Sequence, residues 1–224
     1  MGGFHQHVGQ AVLIAVGCLL ARQHEQVGAG KRREHLLLRL RAEPGAAVGD
    51  LLDALARLPR DLNWRFEHVG GGALGDALKA QAAALGIDDR CTWLGAQSQK
   101  QVFAALARAD LFVLASKKAA DGDQDGLPNV LMEAAHQGLP IVSTRAAAIA
   151  EFVDDGANGL LVSPGAADEL AVALERLARD PGLRRRLADA AARTVRSRFS
   201  YEAGVDWIAS ALGQPRLAQA RAAE

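Results

Sequence analysis

From residue 50 onward the chain alternates short apolar runs with longer amphipathic stretches. Asp50 opens a helical pattern through Leu51, Leu52, Leu55 and Leu58 that Pro59 stops. Residues 63–69 alternate in the manner of a strand and end at Gly70-Gly71-Gly72. The pattern then predicts a helix over 73–85, a short strand over 91–94, and a helix over 98–108 with Val102, Phe103 and Leu106 on one face. Leu111 to Ala115 is an uninterrupted apolar run, as expected of a parallel strand covered on both faces. A polar loop over 116–127 leads into a helix at Pro128. Strands follow over 140–143 and 159–162, and helices over 168–179, 181–195 and 201–212. Strands alternating with helices predict βαβ units, hence an α/β fold built on a Rossmann-like, doubly wound parallel sheet. Such sheets bind ligands beyond the carboxyl ends of their strands, where the topology reverses, which singles out the loops at 70–75 and 116–128.

Residues 1–49 read differently. The apolar run at 11–21 falls short of the ~20 residues that a membrane-spanning helix needs. Residues 1–10 carry neither Lys nor Arg, which argues against a signal peptide and for a buried strand. Residues 22–49 hold Lys31-Arg32-Arg33-Glu34-His35 and the run Leu36-Leu37-Leu38-Arg39-Leu40-Arg41, read as a short basic helix. The chain therefore divides into an atypical segment at 1–49, a regular α/β domain at 50–212 and a tail at 213–224. The atypical segment is disordered, out of frame, or the supplier of one strand. A doubly wound sheet has its first strand near the centre, so a sheet beginning at residue 63 leaves that slot empty. Residues 11–20 are the expected occupant, with 22–49 looping out.

Composition narrows the chemistry. The 224 residues are 50% hydrophobic, and 26 basic residues balance 26 acidic ones. A chain without net charge has no global field to draw in nucleic acid. Two cysteines, Cys18 and Cys91, exclude a disulfide scaffold and a structural zinc cluster.

Gly70-Gly71-Gly72-Ala73-Leu74-Gly75 matches a dinucleotide fingerprint between a strand and a helix. A nicotinamide enzyme also needs an acid at the end of the next strand. That strand ends Trp93-Leu94-Gly95-Ala96-Gln97 without one, leaving a tight turn or the wall of a nucleotide pocket. The stronger signal is Asp121-Gly122-Asp123-Gln124-Asp125-Gly126-Leu127-Pro128-Asn129-Val130-Leu131-Met132-Glu133. Pro128 suits the first position of a helix, and the amides of Asn129 and Val130 then stand at the positive end of the helix dipole, an anion site. Asp125 in the loop and Glu133 on the helix can flank a phosphate held there, each accepting from sugar hydroxyls. A calcium loop fits the start of this run but fails at Pro128 and at Met132, where an EF-hand requires Glu.

Asp125 to Ala135, followed by Gly138-Leu139-Pro140-Ile141-Val142-Ser143-Thr144, resembles the signature of the family 4, or group 1, retaining glycosyltransferases of GT-B fold. Ala109 to Ser116, Glu151 to Gly156 and Gly159 to Val162 agree, so the resemblance covers residues 50–212. It implies one half of a GT-B enzyme, the carboxy-terminal domain that binds a UDP- or GDP-linked sugar as donor. Asp125 then faces the hexose hydroxyls and Glu133 the ribose. The backbone of Gly126, Leu127, Pro128 and Asn129 holds sugar and phosphate. Gly70, Gly71 and Gly72 line the cleft, and Trp93 and Leu94 lie where the family holds the base. No metal or other cofactor is implied, and no residue is assigned to catalysis. The acceptor is a glycan or lipid-linked glycan of bacterial polysaccharide synthesis, and the location cytoplasmic, with peripheral attachment at the inner membrane as an option. Three departures stand out. The first acid is Asp rather than Glu. Gly71 sits where an acid is common. The family's Gly-Arg and Lys-Gly cations are not found directly before Leu51, and Cys18 of the apolar run stands where the Arg would be. The amino-terminal acceptor domain is absent from the pattern, so a non-catalytic fragment or nucleotide-binding module is the rival expectation.

Overall fold

The computed structural model describes the backbone of residues 36–41 and residues 47–116, 127–146 and 148–199. Six parallel strands form one sheet in the order β3-β2-β1-β4-β5-β6. The strands are β1 Leu36–Arg41, β2 Trp64–Val69, β3 Cys91–Trp93, β4 Leu111–Leu114, β5 Ile141–Thr144 and β6 Leu160–Val162. The helices are α1 Ala47–Ala56, α2 Gly75–Ala84, α3 Gln99–Arg108, α4 Asn129–His136, α5 Ile149–Phe152, α6 Ala167–Arg179 and α7 Pro181–Arg198. A single turn of 3₁₀ helix, Asp88–Arg90, precedes β3.

The order reverses between β1 and β4, the hallmark of a doubly wound sheet. β4 shows why the sheet is covered twice. Leu111 and Val113 face a core with Leu51, Leu52 and Leu55 of α1 and Leu170, Leu174 and Leu177 of α6. Phe112 and Leu114 face the opposite core with Val130, Leu131 and Ala134 of α4 and Phe152 of α5. All four β4 residues are 2% exposed or less, so an alternating polar pattern there would place polar groups in one core or the other.

The central slot is filled, but not by the expected segment. β1 pairs with β2 along its whole length, from Leu36 opposite Trp64 to Arg41 opposite Val69. On its other side Leu38, Arg39 and Leu40 pair with Leu111, Phe112 and Val113. Residues 11–20 lie outside the described residues, and the run read as a basic helix is the strand. The ladder supplies the reason. A strand hydrogen-bonded on both sides satisfies its backbone completely, whereas a two-turn helix with no apolar stripe gains little from packing. The α/β domain thus begins before residue 50, and α1 starts at Ala47, three residues ahead of Asp50.

Amide exchange checks this assignment. Amides of residues 38–40 should exchange as slowly as those of 111–114, because both belong to the centre of one ladder. Exchange at the unfolded rate over 38–40 would remove β1 from the sheet.

Candidate functional site

Two groups of expected site residues reach the carboxyl edge of the sheet, on either side of β1. The first is the turn after β2. Gly72 has φ +152°, a conformation that side chains disfavour, and a Cβ there would meet nothing within 4 Å. The turn is tied to the end of β3, since Gly70 N–H donates to the Gly95 carbonyl at 3.0 Å and Leu94 N–H to the His68 carbonyl at 2.9 Å. Gly70–Gly72, Trp93 and Leu94 therefore form one neighbourhood. The Leu94 carbonyl accepts from the Gln97 side-chain amide at 2.5 Å.

Beneath that neighbourhood lies His68, which the sequence reading passed over. It is 6% exposed, and its Nε2 has no hydrogen-bond partner. The ring packs 5.2 Å from Trp93 and 6.2 Å from Phe66. Burial lowers its pKa below the ordinary 6.5, so the neutral ring is favoured. Cys91, at the start of β3, is held as a thiol: burial first, then Asp88 and Asp89, push it up to about 12. It offers no thiolate nucleophile at neutral pH.

The second group is the start of α4. Asn129 is the first helical residue and Pro128 the N-cap, one place earlier than expected. Leu127 and Pro128 are half-buried and Asn129 is exposed. Val130, Leu131, Ala134 and Ala135 anchor the helix in the core. Glu133, half-buried, lies one turn in and is not without a partner. Asp125 and Gly126 lie outside the described residues. β2 and β4 are separated by β1 alone, so the two groups stand about two strand spacings, ~10 Å, apart.

The structure also shows contacts at this edge that the sequence pattern does not reveal. Thr144, at the end of β5, accepts from Ser116 N–H at 2.8 Å and donates to the Ser116 carbonyl at 2.5 Å. Ser143 donates to the Leu114 carbonyl at 2.7 Å. These bonds fix the exit of β4 immediately before the acidic loop. Beside them is a small depression lined by Asp50, Ser116, Thr144, Ser163 and Gly165. None of the expected donor-binding residues lines it. Arg41 is placed at this edge by its backbone. It ends the central strand opposite Val69, one residue before the glycine turn. Among the described residues no cluster of three or more His, Cys, Asp or Glu could hold a metal ion.

A six-stranded doubly wound sheet, with a glycine turn and a helix N-terminus flanking its switch point, defines a Rossmann-like ligand-binding domain. The sequence carries this further: the family model described as "Glycosyl transferases group 1" matches residues 21–194, and the chain belongs to that family. It is 38% identical over 156 residues to the lipopolysaccharide core biosynthesis glycosyltransferase LpsE of Rhizobium meliloti, covering 70% of this chain and 43% of LpsE. It is similar to HepE of Anabaena, solved with UDP and glucose, at 26% identity and a TM-score of 0.69 over 80% of this chain and 48% of HepE. In fold it also resembles the C-terminal domain of LpcC from Francisella tularensis, with 20% identity, a TM-score of 0.63, and coverage of 75% and 86%. The chain spans less than half the length of LpsE and HepE.

His68 makes stability depend on pH in a definite direction. Its folded pKa lies below the unfolded value, so acid favours the unfolded chain. Stability is complete above about pH 6.5 and falls as pH drops through that value. Urea midpoints at pH 7.5 and 5.0 should differ more for the parent than for His68→Phe. Equal differences would place the titration elsewhere.

Proposed function

We propose that this chain binds a nucleotide-diphosphate sugar across its switch point and serves as the donor half of a retaining hexosyltransferase. The observation that carries the reading is the juxtaposition of the glycine turn and strand end after β2 and β3 with the N-terminus of α4, at one edge of one sheet. The HepE complexes with UDP, glucose and UDP-glucose support it.

The base rests at Trp93 and Leu94, and the Gly70–Gly72 turn lines the cleft between base and diphosphate. Glu133 accepts hydrogen bonds from the ribose hydroxyls. The backbone of Gly126, Leu127, Pro128 and Asn129 faces the diphosphate and sugar at the positive end of α4, and Asp125 faces the hexose. The end of the central strand, opposite Val69, lies between these two groups. The amides there stabilise the charge that develops as the nucleoside diphosphate leaves, an electrostatic role that is larger in the transition state than in the ground state. No metal ion is assigned a part. The acceptor is a glycan or lipid-linked glycan, bound by a region beyond this domain, and transfer takes place in the cytoplasm at the inner membrane face. Among the described residues no helix is long and apolar enough to cross a membrane.

Calorimetry with UDP, GDP and UDP-sugars tests the reading. Glu133→Gln keeps the size of the side chain and removes its charge, which should weaken nucleoside diphosphate binding by about 1.5–3 kcal/mol. Unchanged affinity in the folded variant would take Glu133 out of the site. No binding by the parent at millimolar ligand would leave a non-catalytic fold.

A further inference from the structure

Helix α7 carries a charged face that the donor site does not use. At about 100° per residue, Arg185, Arg186, Arg193 and Arg196 fall within one arc of roughly 100°, and they run some 16 Å along the helix. All four are exposed, and Asp189 is the single acid among them. Among the described residues none of the four forms an ion pair. Neighbouring arginines have structural tasks. Arg184 donates to the Leu177 and Ala178 carbonyls, closing the end of α6, and Arg198 lies over the Phe199 ring.

The orientation of this face is fixed. Leu183, Leu187, Ala188, Ala191 and Ala192 are buried on the other side of α7. Thr194, also on that side, accepts from Asn158 Nδ2 at 3.2 Å, and the same amide donates to the Phe152 carbonyl. With its apolar side committed to the core, α7 cannot insert into a bilayer. It can present only charge.

We propose that the Arg185–Arg186–Arg193–Arg196 face of α7 is a docking surface for an anionic lipid bilayer. A guanidinium pairs with phosphate through two parallel hydrogen bonds, and a bilayer offers phosphates along any straight line of that length. Basic side chains gain attraction from an anionic surface within a Debye length, so a local stripe suffices although the chain has no net charge. The face lacks what other partners require. It carries no aromatic side chain for stacking against bases. It also has no large apolar anchor for a protein interface, the exposed large hydrophobics of the described residues being Leu74 and Val172. Because α7 packs on α4, docking by this face holds the helix that bears Glu133 about 10 Å further from the lipid. The surface is separate from the donor site and does not depend on it.

Co-sedimentation of the full chain with phosphatidylcholine vesicles, with and without phosphatidylglycerol, tests the proposal. Binding should require phosphatidylglycerol and disappear at high salt. Each of Arg185→Gln, Arg186→Gln, Arg193→Gln and Arg196→Gln should weaken it about fivefold, with the four together abolishing it. Replacing all four with Lys should retain most of it. Unchanged thermal midpoints confirm that the variants are folded, and nucleoside diphosphate affinity should not move. Three results would overturn the proposal: no binding to anionic vesicles, equal binding to neutral ones, or full binding by the four-fold Gln variant. Loss in that variant of binding to a DNA duplex, with vesicle binding intact, would assign the face to nucleic acid instead.

Discussion

The two-sided ladder of the central strand joins the two halves of the sheet and sets the spacing along its carboxyl edge. β2 and β4 each present a row of backbone donors and acceptors toward the other, and β1 satisfies both rows at once. Without it, β3-β2 and β4-β5-β6 would be two small sheets with exposed edges, and the switch point would not exist. With it, the turn after β2 and the helix after β4 are brought to one edge at a fixed spacing. Any ligand reaching from one to the other must cross the end of β1, where Arg41 stands.

That dependence ties stability to recognition. The glycine turn is held by the Gly70–Gly95 bond, and β4's exit by the reciprocal bonds between Thr144 and Ser116. Both are local devices that work only if the strands beneath them are in register. α4 is likewise set by its apolar side, since Val130, Leu131, Ala134 and Ala135 leave it one way to lie. The first amides of α4 and the Glu133 carboxylate are thus positioned by core packing and by the ladder.

Much of this is legible in the sequence because the signals are local. The apolar run Leu111 to Leu114, the Gly70–Gly72 turn and Pro128 each declare an element within a few residues. β1 is not legible in the same way. Leu36–Arg41 carries two arginines and follows Lys31-Arg32-Arg33, so its pattern is neither the continuous apolar run of β4 nor a clean alternation. Its identity as a strand comes from partners 28 and 73 residues further along the chain. α5 is four residues long and lacks a side-chain cap, which leaves too little pattern to read. For the same reason the Thr144–Ser116 pair and the unsatisfied Nε2 of His68 are products of tertiary structure alone. The family resemblance names Glu133 and the strand end at Trp93, whose places in the fold are described, and it looks for a cation near Cys18, which lies outside the described residues.

A nucleotide bound as proposed engages both sides of β1 at once. Backbone amide resonances of the labelled chain during a UDP titration test it most directly. Gly71, Gly72 and Leu94 should shift together with Asn129 and Val130, along one saturation curve, while residues 160–162 stay in place. Shifts confined to one side of β1, or two curves with different midpoints, would contradict it.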